Sequence, residues 1–152
     1  VLGTPAPQGS KRALHHSKTG RIVTIESGHE RVQSWREAVK AAAFESRDQW
    51  DDRTPFPGPL VVEMTFTLNR PKHHWRTGRN AHLLRDAAPS HPATKPDIDK
   101  LQRSTLDALK DAGIYRDDSQ VVDIHAAKTY PDRHMDALHI PGAVVRIWSV
   151  AS

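Results

Sequence analysis

Two segments of helical period, set among four short runs of β-branched and apolar residues, predict an α+β protein in which two main helices accompany a mixed sheet of about four strands. Val1 to Gly20 holds Pro5, Pro7, Gly9 and Gly20 without any period and reads as mostly loop, with a short, truncated strand at Val1-Leu2. Arg21 to Glu26 is β-branched and bounded by Gly20 and Gly28, which suits a short strand. Ser27 and Glu30 have capping-box spacing, and Val32, Trp35, Val39, Ala42 and Ala43 then recur on one face, predicting helix to about Ser46. Thr54-Pro55-Phe56-Pro57-Gly58-Pro59 cannot continue it, because the prolines remove donors and fix φ. Leu60 to Leu68 alternates, with Leu60, Val62, Met64, Phe66 and Leu68 on one side, and is the clearest strand. The second helix spans Asp99 to Ala112, with Asp99 as N-cap, Gln102 at N3 and Gly113 as the stop. Leu101, Ala108, Leu109 and Ala112 share its buried face, with Leu106 at the margin. Ser119 to Tyr130, with Val122, Ile124 and Ala126 facing one way, and Ala143 to Val150 supply the last strands. Trp35, Phe66 and Trp148 are expected in the core, Phe56 staples the linker, and Trp50 and Trp75 fall outside the periodic elements.

Composition narrows the chemistry. A chain of 152 residues suggests one domain over 1–152, and 37% hydrophobic residues suffice for a modest core. No apolar run approaches the roughly 20 residues of a membrane helix and no signal sequence opens the chain, so a cytoplasmic protein with no membrane partner is expected. The absence of cysteine excludes disulfides, thiolate metal sites and cysteine nucleophiles, leaving oxygen and nitrogen to do any chemistry. The net charge of 22 − 18 = +4 suits a polyanionic partner only if the excess is concentrated somewhere.

The densest chemical signal is Lys95-Pro96-Asp97-Ile98-Asp99-Lys100, with the helix after it and the turn Tyr115-Arg116-Asp117-Asp118-Ser119-Gln120. Oxygen-only donors suit Mg²⁺ or Mn²⁺, commonly held by one or two carboxylates while a substrate phosphate completes the shell. The bland alternative is equally physical: Asp caps helices, acid in a first turn is favoured by the macrodipole, and Asp117-Asp118 can be turn residues. A 14-residue helix is about 21 Å long, so the second acidic pair meets the first only through a connection that sequence does not dictate, through the sheet or across a dimer. Arg103 lies four residues from both Asp99 and Asp107; it either serves phosphoryl oxygens or completes a solvated ladder of ion pairs.

Taken together, K-P-D-I-D-K-L-x-R-x-x-L-D-A-L-x-x-A-G-x-x-x-D-D-S-Q-V-V, from Lys95 toward Lys128, resembles the core of RusA-like Holliday junction resolvases, especially those of phages and prophages. The opening T-P-x-P-Q-G-S-K-R at Thr4 to Arg12 and the order of helix, strand, basic loop and core agree with it. The resemblance implies a homodimeric, Mg²⁺-dependent endonuclease in a bacterial cytoplasm that nicks four-way DNA junctions symmetrically, with Mn²⁺ as a possible substitute. It places Asp97, Asp99 and Asp118 on the family's acidic ligands, with Asp117 adjacent. Where the family commonly carries an essential lysine this sequence has Arg103, which keeps the charge but cannot deprotonate, and Lys100 stands ready to take the role. Asp107 matches an acidic position with a supporting part.

The 26 residues from Asn69 to Thr94 hold Arg70, Lys72, Arg76, Arg79 and Arg85 against Asp86 alone, so the whole excess charge sits there, beside His73, His74 and Trp75. Cations that release counterions from phosphates and an aromatic ring that stacks on an unpaired base make Arg70, Lys72, Trp75, Arg76 and Arg79 DNA-contact candidates, with Lys95, Lys11 and Arg12. So long a polar loop is otherwise solvated, and poor order is expected of it. The ten histidines show no zinc-enzyme spacing, and His125 is expected at a core edge or facing DNA. Two further readings stay open: a junction-binding protein without catalysis, and a nuclease acting mainly on flaps or forks.

Overall fold

A computed structural model describes residues 1–9, 11–15, 22–26, 29–49 and 54–150, with the backbone alone described for 11–15 and 22–26. The Ser27 cap, Trp50, His16 and the side chains of Lys11 and Arg12 therefore lie outside the described residues. Among the described residues two α-helices and a mixed sheet confirm the α+β class, but that sheet has three strands instead of about four, because the expected strand at 21–26 pairs in a separate hairpin.

β1 (Lys11–His15) and β2 (Ile22–Glu26) form an antiparallel hairpin of their own, with Lys11 opposite Glu26 and His15 opposite Ile22. β2 was expected; β1 was read as loop, because Lys11-Arg12-Ala13-Leu14-His15 offers too little alternation to announce a strand before its partner supplies the ladder. The main sheet has the order β4-β3-β5, from β3 (Leu60–Thr67), β4 (Val121–Thr129) and β5 (Gly142–Ser149). β5 is antiparallel to β3, while β4 is parallel to it along one edge. The expected strand at Val1-Leu2 is a single bridge from Leu2 to Gly142.

α1 (His29–Arg47) and α2 (Ile98–Asp111) pack on each other and on one face of the sheet. Leu60, Val62, Met64 and Phe66 of β3 share parity and meet Val32, Trp35, Val39 and Ala43 of α1 and Leu101, Ala108 and Leu109 of α2. Trp35 tilts against Phe66 at 6.4 Å between ring centres and donates its indole N–H to Thr105 Oγ1 at 3.1 Å, so the largest core side chain buries no unpaired donor. Arg36 ties the helices from outside, through Asp111 at 2.7 Å and Asp107 at 3.7 Å. Gly113, at φ +70°, ends α2 as expected.

The opposite sheet face corrects one expectation. Val61, Glu63 and Thr65 face it, and Trp148 pairs in register with Val61 and stays 41% exposed instead of entering the core. Chain 130–141 covers the far end of this face, where Leu138 N–H donates to Thr67 Oγ1 and Arg146 grips Asp136 with two bonds, of 2.8 and 2.5 Å. Arg146, foremost, holds the Asp136 carboxyl below the ordinary carboxylate range. The stability this pair contributes is complete above about pH 3.8 and is lost as pH falls through the lowered value.

Trp35→Ala should cost about 3–5 kcal/mol in equilibrium urea unfolding, the scale of an aromatic-sized cavity; a cost under about 1 kcal/mol would place Trp35 outside the core. Asp136→Asn should lower the melting temperature at neutral pH, with the gap to the parent closing only below about pH 3.8; a gap constant across that range would refute the linkage.

Candidate active site

The N-terminal end of α2 gathers one charged cluster. Asp97, in extended backbone (φ −72°, ψ 138°), is the N-cap residue, so α2 begins two residues earlier than the expected Asp99 cap. Its side chain makes no cap bond and accepts from Lys100 Nζ at 3.0 Å. Lys100 foremost, then Lys95 and Lys128 by charge alone, hold the Asp97 carboxyl below the ordinary range, and Asp97 in turn raises the Lys100 ammonium. Asp99 lies in the first helical turn, exposed and without an ion pair among the described residues. Arg103, one turn further, is also exposed and likewise unpaired. Of the two readings of Arg103, the ladder Asp99-Arg103-Asp107 is therefore not formed: Asp107 pairs with Arg36 on α1, and Arg103 is exposed.

The second acidic pair sits at the other end of α2. Asp117 caps a 3₁₀ turn (Asp118–Gln120), accepting from Ser119 N–H at 3.0 Å, while Gln120 Oε1 accepts from the Asp117 N–H. Ser119 foremost, with Lys110, lowers the Asp117 carboxyl. Asp117 thus works as a turn residue, the plainer of its two readings. Asp118 is exposed, 3.8 Å from Lys110 Nζ. Its charge, with that of Asp107, reinforces the burial that pushes the Tyr115 phenol upward. Lys110 lies eleven residues past Asp99, about 16 Å along the helix. Asp118 accordingly does not join Asp97 and Asp99 within one protomer, and no three metal-ligating side chains cluster among the described residues.

The basic segment is folded, against the expectation of poor order. It makes two 3₁₀ turns (Lys72–His74 and Gly78–Asn80) and a bridge between Trp75 and Leu84. Arg70 lies 4.2 Å over the Tyr130 ring and donates to the Pro89 carbonyl; Arg76 pairs with Asp86 at 2.7 Å; Arg85 donates to the Trp75 carbonyl. His74 is buried edge-on to Tyr130, and burial, then His73 and Arg70, pushes its imidazole downward. Among the DNA-contact candidates, Arg70 and Arg76 hold the loop together and Trp75 is half-buried, whereas Lys72, Arg79 and Lys95 are exposed with no ion pair among the described residues. His125, expected at an edge or facing DNA, is exposed on the outer sheet face, 3.2 Å from Asp123.

One residue escaped the sequence reading. Lys128, near the end of β4, donates from Nζ to the carbonyl oxygens of Thr94 at 2.9 Å and Pro96 at 2.8 Å. The signal was present: Lys128 has the parity of Ile124 and Ala126, and a lysine at an inward-facing position needs polar partners.

The start of α2 thus presents the half-buried Asp97 and the exposed Asp99 among lysines, with Arg103 unpaired among the described residues and a basic loop alongside, and oxygen donors of this kind suit a hard divalent cation. Residues 3–140 match the family model for endodeoxyribonuclease RusA, and the chain belongs to that family. The family consists of divalent-metal-dependent endodeoxyribonucleases that bind branched DNA and resolve Holliday junctions. The chain is also 27% identical, over 135 residues, to the Bacillus subtilis (strain 168) protein named "Uncharacterized protein YqaN", covering 87% of this chain and 86% of that one. No helix among the described residues is long and apolar enough to cross a membrane.

Lys100→Met should move the Asp97 carboxyl titration upward, toward about 3.8, in carboxyl-carbon NMR of the metal-free protein; an unmoved titration would show that another group sets it.

Proposed function

We propose that this chain cuts four-way junctions as a homodimer whose two active sites each combine Asp97 and Asp99 of one protomer with Asp118 of the partner subunit. The single observation supporting this is the separation of the two acidic pairs by about 16 Å of rigid helix, too far for one ion. The carboxylates fit a hard cation, and Asp97 and Asp99 alone already match the one or two that Mg²⁺ usually takes beside a substrate phosphate. Edge strand β4, which runs between the two acidic ends, exposes Val122 and Ile124 and an unpaired strand edge, the kind of surface a second copy covers. A two-fold axis there sets two equivalent sites against a junction of near two-fold symmetry, and paired nicks follow.

Mg²⁺, or Mn²⁺ in its place, would polarise the scissile phosphate and lower the pKa of a bound water. The chain's own residues do the rest. Lys100 holds the Asp97 carboxylate through its ion pair, Arg103 offers a guanidinium to the phosphate oxygens, and Lys72, Arg79 and Lys95 meet the flanking backbone.

Asp99→Asn and Asp118→Asn should each abolish nicking of an immobile junction while sparing binding. Mixed and allowed to exchange subunits, the two variants should regain roughly one quarter of the parental nicking, as single nicks, because half the dimers then hold one intact site. No recovery on mixing, with exchange verified by mass spectrometry, would assign all three aspartates to one chain. An inert parent protein on junctions, flaps and forks with Mg²⁺ or Mn²⁺ would refute the reaction itself.

A further inference from the structure

We infer that Lys128 is a positioning residue for the active site, clamping the segment Thr94–Asp97 so that Asp97 is delivered at the helix start in a fixed place. The inference rests on the reading of Asp97 as a metal ligand given above. It begins with a satisfaction problem. Chain 94–96 leaves the basic loop without regular structure, and no backbone N–H among the described residues donates to the carbonyls of Thr94 or Pro96. Pro96 itself has no N–H to anchor the chain. The two carbonyls flanking Lys95 are instead both taken by one ammonium, at 2.9 and 2.8 Å.

That ammonium is itself held. Lys128 pairs in register with Phe66, which is fully buried on central strand β3, and is itself half-buried. Its ammonium reaches the segment just before α2 through the two carbonyl bonds. The clamp therefore joins the main sheet, at a position paired with central strand β3, to the segment carrying the first ligand. Two of its three N–H groups are spent on carbonyls, and its charge also helps lower the Asp97 carboxyl. Lys128 makes no side-chain hydrogen bond to Asp97; it acts through the backbone on either side of Lys95. Outer partners of this kind typically alter metal affinity or activity by about 10–100-fold when removed.

The test compares the full-length parent protein with Lys128→Met, which keeps the stem and loses the donor, and with Lys128→Arg, which keeps donors. Lys128→Gln, too short for both carbonyls, replaces Met if that variant fails to fold. Three readouts are taken: Mn²⁺ affinity of the protein without DNA, by electron paramagnetic resonance; amide exchange at Leu101, whose N–H donates to the Asp97 carbonyl; and junction nicking as a function of Mg²⁺. The expected result for Met is Mn²⁺ binding weaker by about tenfold or more, faster Leu101 exchange, a higher half-saturating Mg²⁺ concentration and junction binding within about twofold of the parent, with Arg recovering most of the loss. Unchanged Mn²⁺ affinity and exchange would overturn the inference. So would a loss of junction binding with both of those intact, which would make Lys128 a phosphate contact. If the parent proves inert on DNA, the reaction proposed above fails, while the Mn²⁺ and exchange arms still judge Lys128.

Discussion

Neighbouring parallel strands cannot be joined by a tight turn, and the parallel pairing of β3 with β4 governs the rest of this molecule. After β3 the chain must travel back before β4 can start, and α2 makes that journey, packed over the sheet. One outcome is that the start of β4, with Asp117 and Asp118, lies at the far end of α2 from Asp97 and Asp99. The other is that the end of β4, with Lys128, lies at the near end. The separation of the two acidic pairs within one protomer is thus a property of topology, not of side-chain placement.

The basic loop is organised by its own charges. It has almost no apolar residues to bury, so its order comes from Arg70 on Tyr130, Arg76 on Asp86 and arginine bonds to carbonyls. A cation over an aromatic ring is worth about 0.5–2 kcal/mol, comparable to a modest hydrophobic contact. Cations used in this way are withdrawn from the set free to meet phosphate. The cations the loop leaves exposed and without an ion pair among the described residues are therefore Lys72 and Arg79, with Lys95 beyond it, on a shaped platform instead of a diffuse charged tail.

Most of the architecture was legible because its determinants are local. β3, β4, β5 and both helices were found within one to three residues, since each carries its own period or breaker: the alternation of Leu60 to Leu68, the Gly113 stop, the prolines before Leu60. What failed was set by partners. β1 exists through pairing with β2, and Asp97 and Asp99 are both acceptable caps, so only the backbone chooses between them. Trp148 was misplaced although Arg146, two residues earlier and on the same face, marked that face as solvent-side. The site was legible as an acidic core motif, but the pairing of Asp107 with Arg36 is a tertiary contact, and it dissolves the ladder that spacing suggested.

Releasing Asp107 to Arg36 has a consequence for the exchange of the family's lysine for arginine. Lys100 is engaged by Asp97, so recruiting it to a phosphate costs an existing pair. Arg103 has no ion pair among the described residues to give up and is exposed one turn from Asp99. Of the two cations it is therefore the one that can meet an incoming phosphate at no electrostatic cost, and its planar fork matches two phosphate oxygens at once. A guanidinium that never deprotonates neutralises charge but transfers no proton. In the proposed reaction the proton of the attacking water must then leave through a carboxylate or solvent, which restricts Arg103 to stabilising the transition state.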